Sequence, residues 1–145
     1  MTGPVMSAAE IDAFNRTCPF NAWLGVRVVA ASDAGVEIEA PWRDEFVGSP
    51  NLRTMHGGVL AALVETTAGL SLFAVLGNAG PAIDLRVDYH RPVRSGPLRG
   101  HGRVLRAGGT ITSIEAFVHD ADDRLVASGR AVFLVPRPPA GATRG

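Results

Sequence analysis

His56, Gly57, Gly58 and Glu65 are the residues of this 145-residue chain whose types and spacing best suit chemistry. The two glycines open a twenty-one-residue run, Gly57 to Gly77, in which Glu65 is the only charge. A helix N-terminus carries free amide N–H groups and a partial positive charge. Glycine in its first two positions lets a substrate carbonyl approach those donors with no side chain in the way. A carboxylate on an apolar helix is costly to ionise, so its pKa rises toward a range useful for proton transfer. An oxyanion stabiliser and a carboxylate that activates water or attacks directly are what acyl hydrolysis requires. Purely structural alternatives stand beside this reading. The glycines would only ease a tight turn into the helix, and Glu65 would be bonded to backbone or to an arginine such as Arg86. His56 suits capping the helix or fixing the loop at least as well as orienting a substrate, and it is assigned no proton transfer.

Gly57 and Glu65 are eight positions apart, about 12 Å along a helix at 1.5 Å per residue. They cannot both touch one acyl carbon. Either another part of the chain completes each half, or two subunits share each site.

The elements that must position these groups follow from patterning. Ser7 and Glu10 have capping-box spacing and predict a short helix through about Asn15, with Ile11 and Phe14 on one face. Strands are expected at Leu24 to Ala30 and, after the turn Ser32 to Gly35, where Val36, Ile38, Ala40 and Trp42 alternate with Glu37 and Glu39. From Pro41 to Thr54 the pattern breaks and a loop is expected. The run from Gly57 is long enough to cross a bilayer. Its mid-span carboxylate, Thr66, Thr67 and Ser71, and the lack of a flanking basic cluster, argue against a membrane span. A helix apolar on nearly every side must then be wrapped by other elements. Four strands follow: Ile83 to Tyr89, whose apolar residues alternate strictly with Asp84, Arg86, Asp88 and His90, then Leu98 to Arg106, Ile111 to His119 and Leu125 to Val135. Their short connections predict antiparallel neighbours. The fold class is therefore α+β, with a curved antiparallel sheet of about six strands around one long helix. Residues 1–19 form an N-terminal segment, 20–135 one domain, and 136–145 a tail expected to be disordered.

Composition narrows the function. Hydrophobic residues at 46% and charged residues at 19% describe a globular chain. A formal net charge of zero lacks the basic excess of a nucleic-acid or anionic-membrane binder. All 14 basic residues are arginines, which grip phosphate in bidentate fashion. His90, His101 and His119 lie on different expected strands without ligand spacing, so no metal site is expected. Cys18, the only cysteine, has no evident base partner and permits no intrachain disulfide. With no signal-peptide pattern at the N-terminus, a cytoplasmic location is expected.

The segment His56-Gly57-Gly58-Val59-Leu60-Ala61-Ala62-Leu63-Val64-Glu65, with Asp84-Leu85-Arg86-Val87-Asp88-Tyr89-His90-Arg91-Pro92 after it, resembles the signature of the PaaI-type thioesterases of the hotdog fold. The resemblance covers roughly residues 20 to 135. It implies an acyl-CoA thioesterase with no cofactor beyond the coenzyme A of its substrate. It also implies homodimers with active sites at the interface, where the Gly57 amide of one chain meets Glu65 of the other; pairing to a tetramer is common in the family. Two positions depart from the pattern. Pro50 stands where many members have Asn or Gln, with Asn51 one place later, and Ala82 stands where many have Ser or Thr, leaving Thr66 or Thr67 as local substitutes. Arg91, Arg94, Arg99 and Arg103 are candidates for the phosphates of coenzyme A. Gly108-Gly109 resembles a family turn near the nucleotide. Leu63, Leu70, Phe73 and the Phe46-Val47 loop are candidates for an acyl tunnel. Two other readings are an acyl-CoA-binding protein without catalysis, and a hotdog enoyl-thioester hydratase or dehydratase.

Overall fold

The computed structural model describes residues 6–136. Helix α1 (Ala8–Thr17) opens on the expected capping box, with the Ser7 amide donating to Glu10 at 2.8 Å and the Glu10 amide to Ser7 Oγ at 3.3 Å. Buried Ile11 and the Phe14 ring, stacked on Phe73 at 3.9 Å, seat it against the body. A second helix, α2 (Pro19–Leu24), stands where a strand was expected to begin at Leu24. Proline starts it and Gly25, at φ 76°, ends it in the left-handed region. The strand is correspondingly late: β1 is Arg27–Ala31, and β2 is Val36–Ala40, stopped by Pro41 before Trp42.

The expected loop from Pro41 to Thr54 contains a 3-10 turn, Asp44–Phe46, and a small hairpin of β3 (Val47–Ser49) and β4 (Thr54–Met55). These strands are too short to display an alternation. Helix α3 (Gly57–Leu76) is followed by β5 (Ala82–Tyr89), β6 (Leu98–Ala107), β7 (Ile111–His119) and β8 (Leu125–Leu134). The main sheet has six antiparallel strands in the order β1-β2-β6-β7-β8-β5, wrapped around α3 as the hotdog architecture requires.

One neighbour relation differs from expectation. β5 pairs with β8 rather than with β6, its successor in the chain. Residues 90–97 are long enough to cross to the other side of the sheet, and on the way the Val93 carbonyl accepts the Met55 amide at 2.8 Å. β5 is therefore an edge strand. Its sheet-inward residues Leu85 and Tyr89 remain 37% and 56% exposed, although their alternation predicted a buried face.

Close approach between α3 and β6 holds the core. A Cβ on Gly100 would lie 2.4 Å from Thr67 Oγ1, and one on Gly102 would lie 2.0 Å from Ser71 Oγ. Only glycine lets the helix sit this low. The hydroxyls so buried are satisfied: Thr67 donates to the Leu63 carbonyl at 2.6 Å, and Ser71 donates to Thr67 O at 2.8 Å while accepting the Val36 amide at 3.2 Å. The helix passes the length and hydropathy test for a membrane span, but it is the wrapped core helix of this sheet. The expected tail lies outside the described residues beyond Pro136.

Candidate active site

The site is built on the first turn of α3. His56 is the N-cap, at φ −61° and ψ 131°, and its Nδ1 accepts the Gly58 amide at 2.7 Å. The Val59 amide donates to the His56 carbonyl at 2.9 Å. These bonds occupy the amides of Gly58 and Val59, so Gly57 N–H is the first-turn donor without a partner among the described residues. Of the two glycines, Gly57 is thus the one with an amide left to offer.

His56 is itself seated by the small hairpin. Its amide donates to the Phe46 carbonyl at 2.7 Å, and a Cβ on Gly48 would come within 2.7 Å of the His56 Cα. On the other side, the Tyr89 hydroxyl donates to the Gly57 carbonyl at 3.0 Å. A shallow cleft of about 290 Å³ opens here, lined by Met55, Gly57, Leu60, Tyr89 and Arg91 among others. Sequence reasoning missed Tyr89, which read only as an apolar position in an alternating strand, and Gly48, which read as part of a loop.

Glu65 lies two turns along the same helix, half-buried, on the stripe it shares with Gly58, Ala62 and Gly69. Among the described residues it makes no hydrogen bond or ion pair, and Arg86, one partner weighed for it, pairs with Asp88 at 3.3 Å instead. Desolvation therefore acts unopposed and raises its carboxyl above the ordinary glutamate range. Because α3 is continuous, the separation from Gly57 is the full eight residues of helix, about 12 Å.

The other candidates divide by position. Asn51 is exposed at the tip of the β3–β4 hairpin. Thr66 is buried, with its Oγ1 donating to Asn21 Oδ1 of α2 at 3.4 Å, while Thr67 turns into the core against Gly100. Arg91 stands at the cleft with its guanidinium on the Leu125 carbonyl at 2.9 Å, and exposed Arg94 follows. Arg99 and Arg103 are elsewhere, paired with Asp123 at 2.8 Å and Glu115 at 2.6 Å on the outer face of the sheet. Gly108 and Gly109 form the β6–β7 turn. Since Gly100 abuts Thr67 and Gly102 abuts Ser71, β6 runs toward the C-terminal end of α3, and this turn lies at the end far from Gly57. Leu63, Leu70 and Phe46 are core residues, each no more than 2% exposed.

A greasy helix wrapped by a six-stranded antiparallel sheet is the hotdog fold. The chain belongs to the thioesterase superfamily, whose family model matches residues 52–127. A Halobacterium salinarum protein, provisionally named an esterase, is 35% identical over 90% of this chain and 93% of its own. The medium/long-chain acyl-CoA thioesterase YigI of Salmonella typhimurium is 29% identical over 81% of this chain and 85% of its own. A solved structure described as a thioesterase-superfamily protein matches with a TM-score of 0.86 at 38% identity, covering 89% of this chain and 98% of that one.

Proposed function

We propose that the protein is a PaaI-type acyl-CoA thioesterase acting in the cytoplasm on an aryl- or medium-chain acyl-CoA, as a homodimer with two shared sites. The observation that carries this reading is Glu65: a half-buried, unpartnered carboxylate on the same helix that presents a free amide at Gly57. Neither group has a structural partner that would account for it. The distance between them along α3 supports sharing, with Gly57 of one protomer facing Glu65 of the other. The uncovered inner side of β5, with Leu85 and Tyr89 exposed, supports the same assembly, because a second copy would cover it.

In this reading the thioester carbonyl oxygen receives the Gly57 N–H, and the helix dipole stabilises the charge that develops there. As a general base, Glu65 takes a proton from water while the water oxygen bonds to the acyl carbon. The tetrahedral intermediate then breaks its C–S bond, and the proton passes to the leaving thiolate. As a nucleophile, Glu65 instead attacks the acyl carbon and expels the coenzyme A thiolate, giving an acyl anhydride that water hydrolyses to the free acid and the restored carboxylate, with the released proton taken up by the thiolate. His56 fixes the first turn in either case. Asn51, on the hairpin that seats His56, stands in for the family's amide residue. Arg91 and Arg94 bind the phosphates of coenzyme A, and Thr66 holds the wall beside Glu65. Gly108-Gly109 would reach the nucleotide only through the partner subunit. No cofactor is required, since coenzyme A arrives with the substrate. The name of the YigI relative fits this substrate class.

The test is release of free coenzyme A from a panel of aryl and aliphatic acyl-CoAs by wild type and Glu65→Gln. Turnover that falls by orders of magnitude in the folded variant supports the reading, and the panel names the acyl class. Acyl-CoA binding without turnover by wild type would replace it with a binding protein.

A further inference from the structure

Two side chains meet on a single peptide unit at the start of α3. His56 Nδ1 accepts its N–H, that of Gly58, at 2.7 Å, and the Tyr89 hydroxyl donates to its carbonyl, that of Gly57, at 3.0 Å. Because the peptide is planar, the two bonds together fix its tilt. Glycine on both sides makes that tilt otherwise soft. A change in it turns the Gly57 Cα, and with it the direction of the unpartnered Gly57 N–H. The Tyr89 ring adds a wall on the same residue, since a Cβ on Gly57 would meet ring carbons at 3.3 Å.

We propose that Tyr89 is a positioning residue of the site, whose hydroxyl and ring hold Gly57 so that its free amide aims into the cleft. The proposal rests on the oxyanion role given to Gly57 above. Stability offers little reason for the arrangement. Within a single chain Tyr89 is 56% exposed on its edge strand, where water could equally satisfy its hydroxyl. What the bond supplies is a fixed geometry between β5 and the helix start, 32 residues apart in the chain. An oxyanion donor is effective only when preorganised, so an error in its aim appears in the rate rather than in substrate binding.

Tyr89→Phe keeps the ring and removes the hydroxyl. The expected result is a kcat lower by about tenfold, with KM for the acyl-CoA within about twofold and an unchanged pH profile. A raised KM at constant kcat would make Tyr89 a substrate contact, and loss of an alkaline limb would make it a proton donor; either outcome overturns the proposal, as does no change at all. A second measurement needs no turnover. Amide hydrogen exchange at Gly58 should rise by about fivefold or more in the variant, with the amides of α3 from Ala68 onward unchanged. Unchanged protection at Gly58 overturns the clamp whatever Glu65 does. Faster exchange at Gly58 in a protein that releases no coenzyme A would support the clamp and reject the hydrolase reading.

Discussion

His56 Nδ1 accepts the Gly58 amide at 2.7 Å, and that bond leaves Gly57 as the glycine with a donor to spare. It separates two adjacent residues of the same type into a capped one and an available one. Proline at position 57 tests the division. His56 already has the extended φ −61° and ψ 131° that a residue before proline prefers, and the first helical position accepts proline readily. Gly57→Pro should therefore fold with a Tm within about 4 °C of wild type, equivalent to less than about 1 kcal/mol. Its kcat should fall by about 100- to 1000-fold, the usual cost of a lost oxyanion donor. The Tyr89 ring must yield by a few tenths of an ångström, since the new Cβ would lie 3.3 Å from it. Near-normal turnover in the folded variant would place the oxyanion donor elsewhere.

The cap makes a separate prediction in stability. His56→Ala removes the acceptor for Gly58 and should cost about 1 kcal/mol in urea unfolding, while His56→Asn, a strong capping residue, should recover most of it. Gly58→Ala should behave like His56→Ala, because its Cβ would lie 2.8 Å from His56 Nδ1 and push the ring off the amide. An asparagine variant no better than alanine would show that the ring is held for some purpose other than capping.

Glu65 ties activity and stability to pH in opposite directions. Its carboxyl is raised from the ordinary 4.5 by desolvation, so the folded state binds the proton more tightly than the unfolded state does. The stabilisation this gives is full below about pH 4.5 and disappears as pH rises through the higher folded value. Glutamine cannot ionise. Glu65→Gln should therefore gain stability relative to wild type as pH rises from 4 to 8, while wild-type kcat/KM rises over the same interval along an acid limb above 4.5. Equal pH dependence of stability in the two proteins would contradict the burial argument.

The candidate groups were legible because they are local. One charge in a twenty-residue apolar helix, two glycines ahead of it and a capping box at Ser7 each declare themselves within a few positions. What escaped depends on distant contacts or on segments too short to show a period. PFNAWL, six residues of mixed aromatic and aliphatic character, forms α2 because Pro19 and Gly25 bracket it, and no alternation could reveal that. The β3–β4 hairpin hides behind Gly48 and Pro50. The pairing of β5 with β8 is a choice of sheet edge, which short-range patterning does not encode. Tyr89 shares its pattern with Ile83, Leu85 and Val87, yet its hydroxyl reaches a helix that begins 32 residues earlier.

The packing of α3 on β6 sets how firmly the site is held. Gly102→Ala would place a Cβ 2.0 Å from Ser71 Oγ and 3.1 Å from the Thr67 carbonyl, so the helix must rise from the sheet. Overpacking of this kind should cost about 2–3 kcal/mol in chemical denaturation. A fully stable Gly102→Ala protein would mean that α3 tolerates movement, and with it the placement of Glu65.

If each site is shared between two subunits, mixing two differently disabled subunits should restore it. Glu65→Gln and Gly57→Pro are each expected to be nearly inactive alone. Unfolded together in equal amounts and refolded, they should form about one-half hybrid dimers, each with one site free of both substitutions and one carrying both. Activity should return to about one-quarter of wild type, in proportion to hybrids counted by native mass spectrometry. Hybrids that form but hydrolyse no acyl-CoA would mean that Gly57 and Glu65 do not meet across the interface.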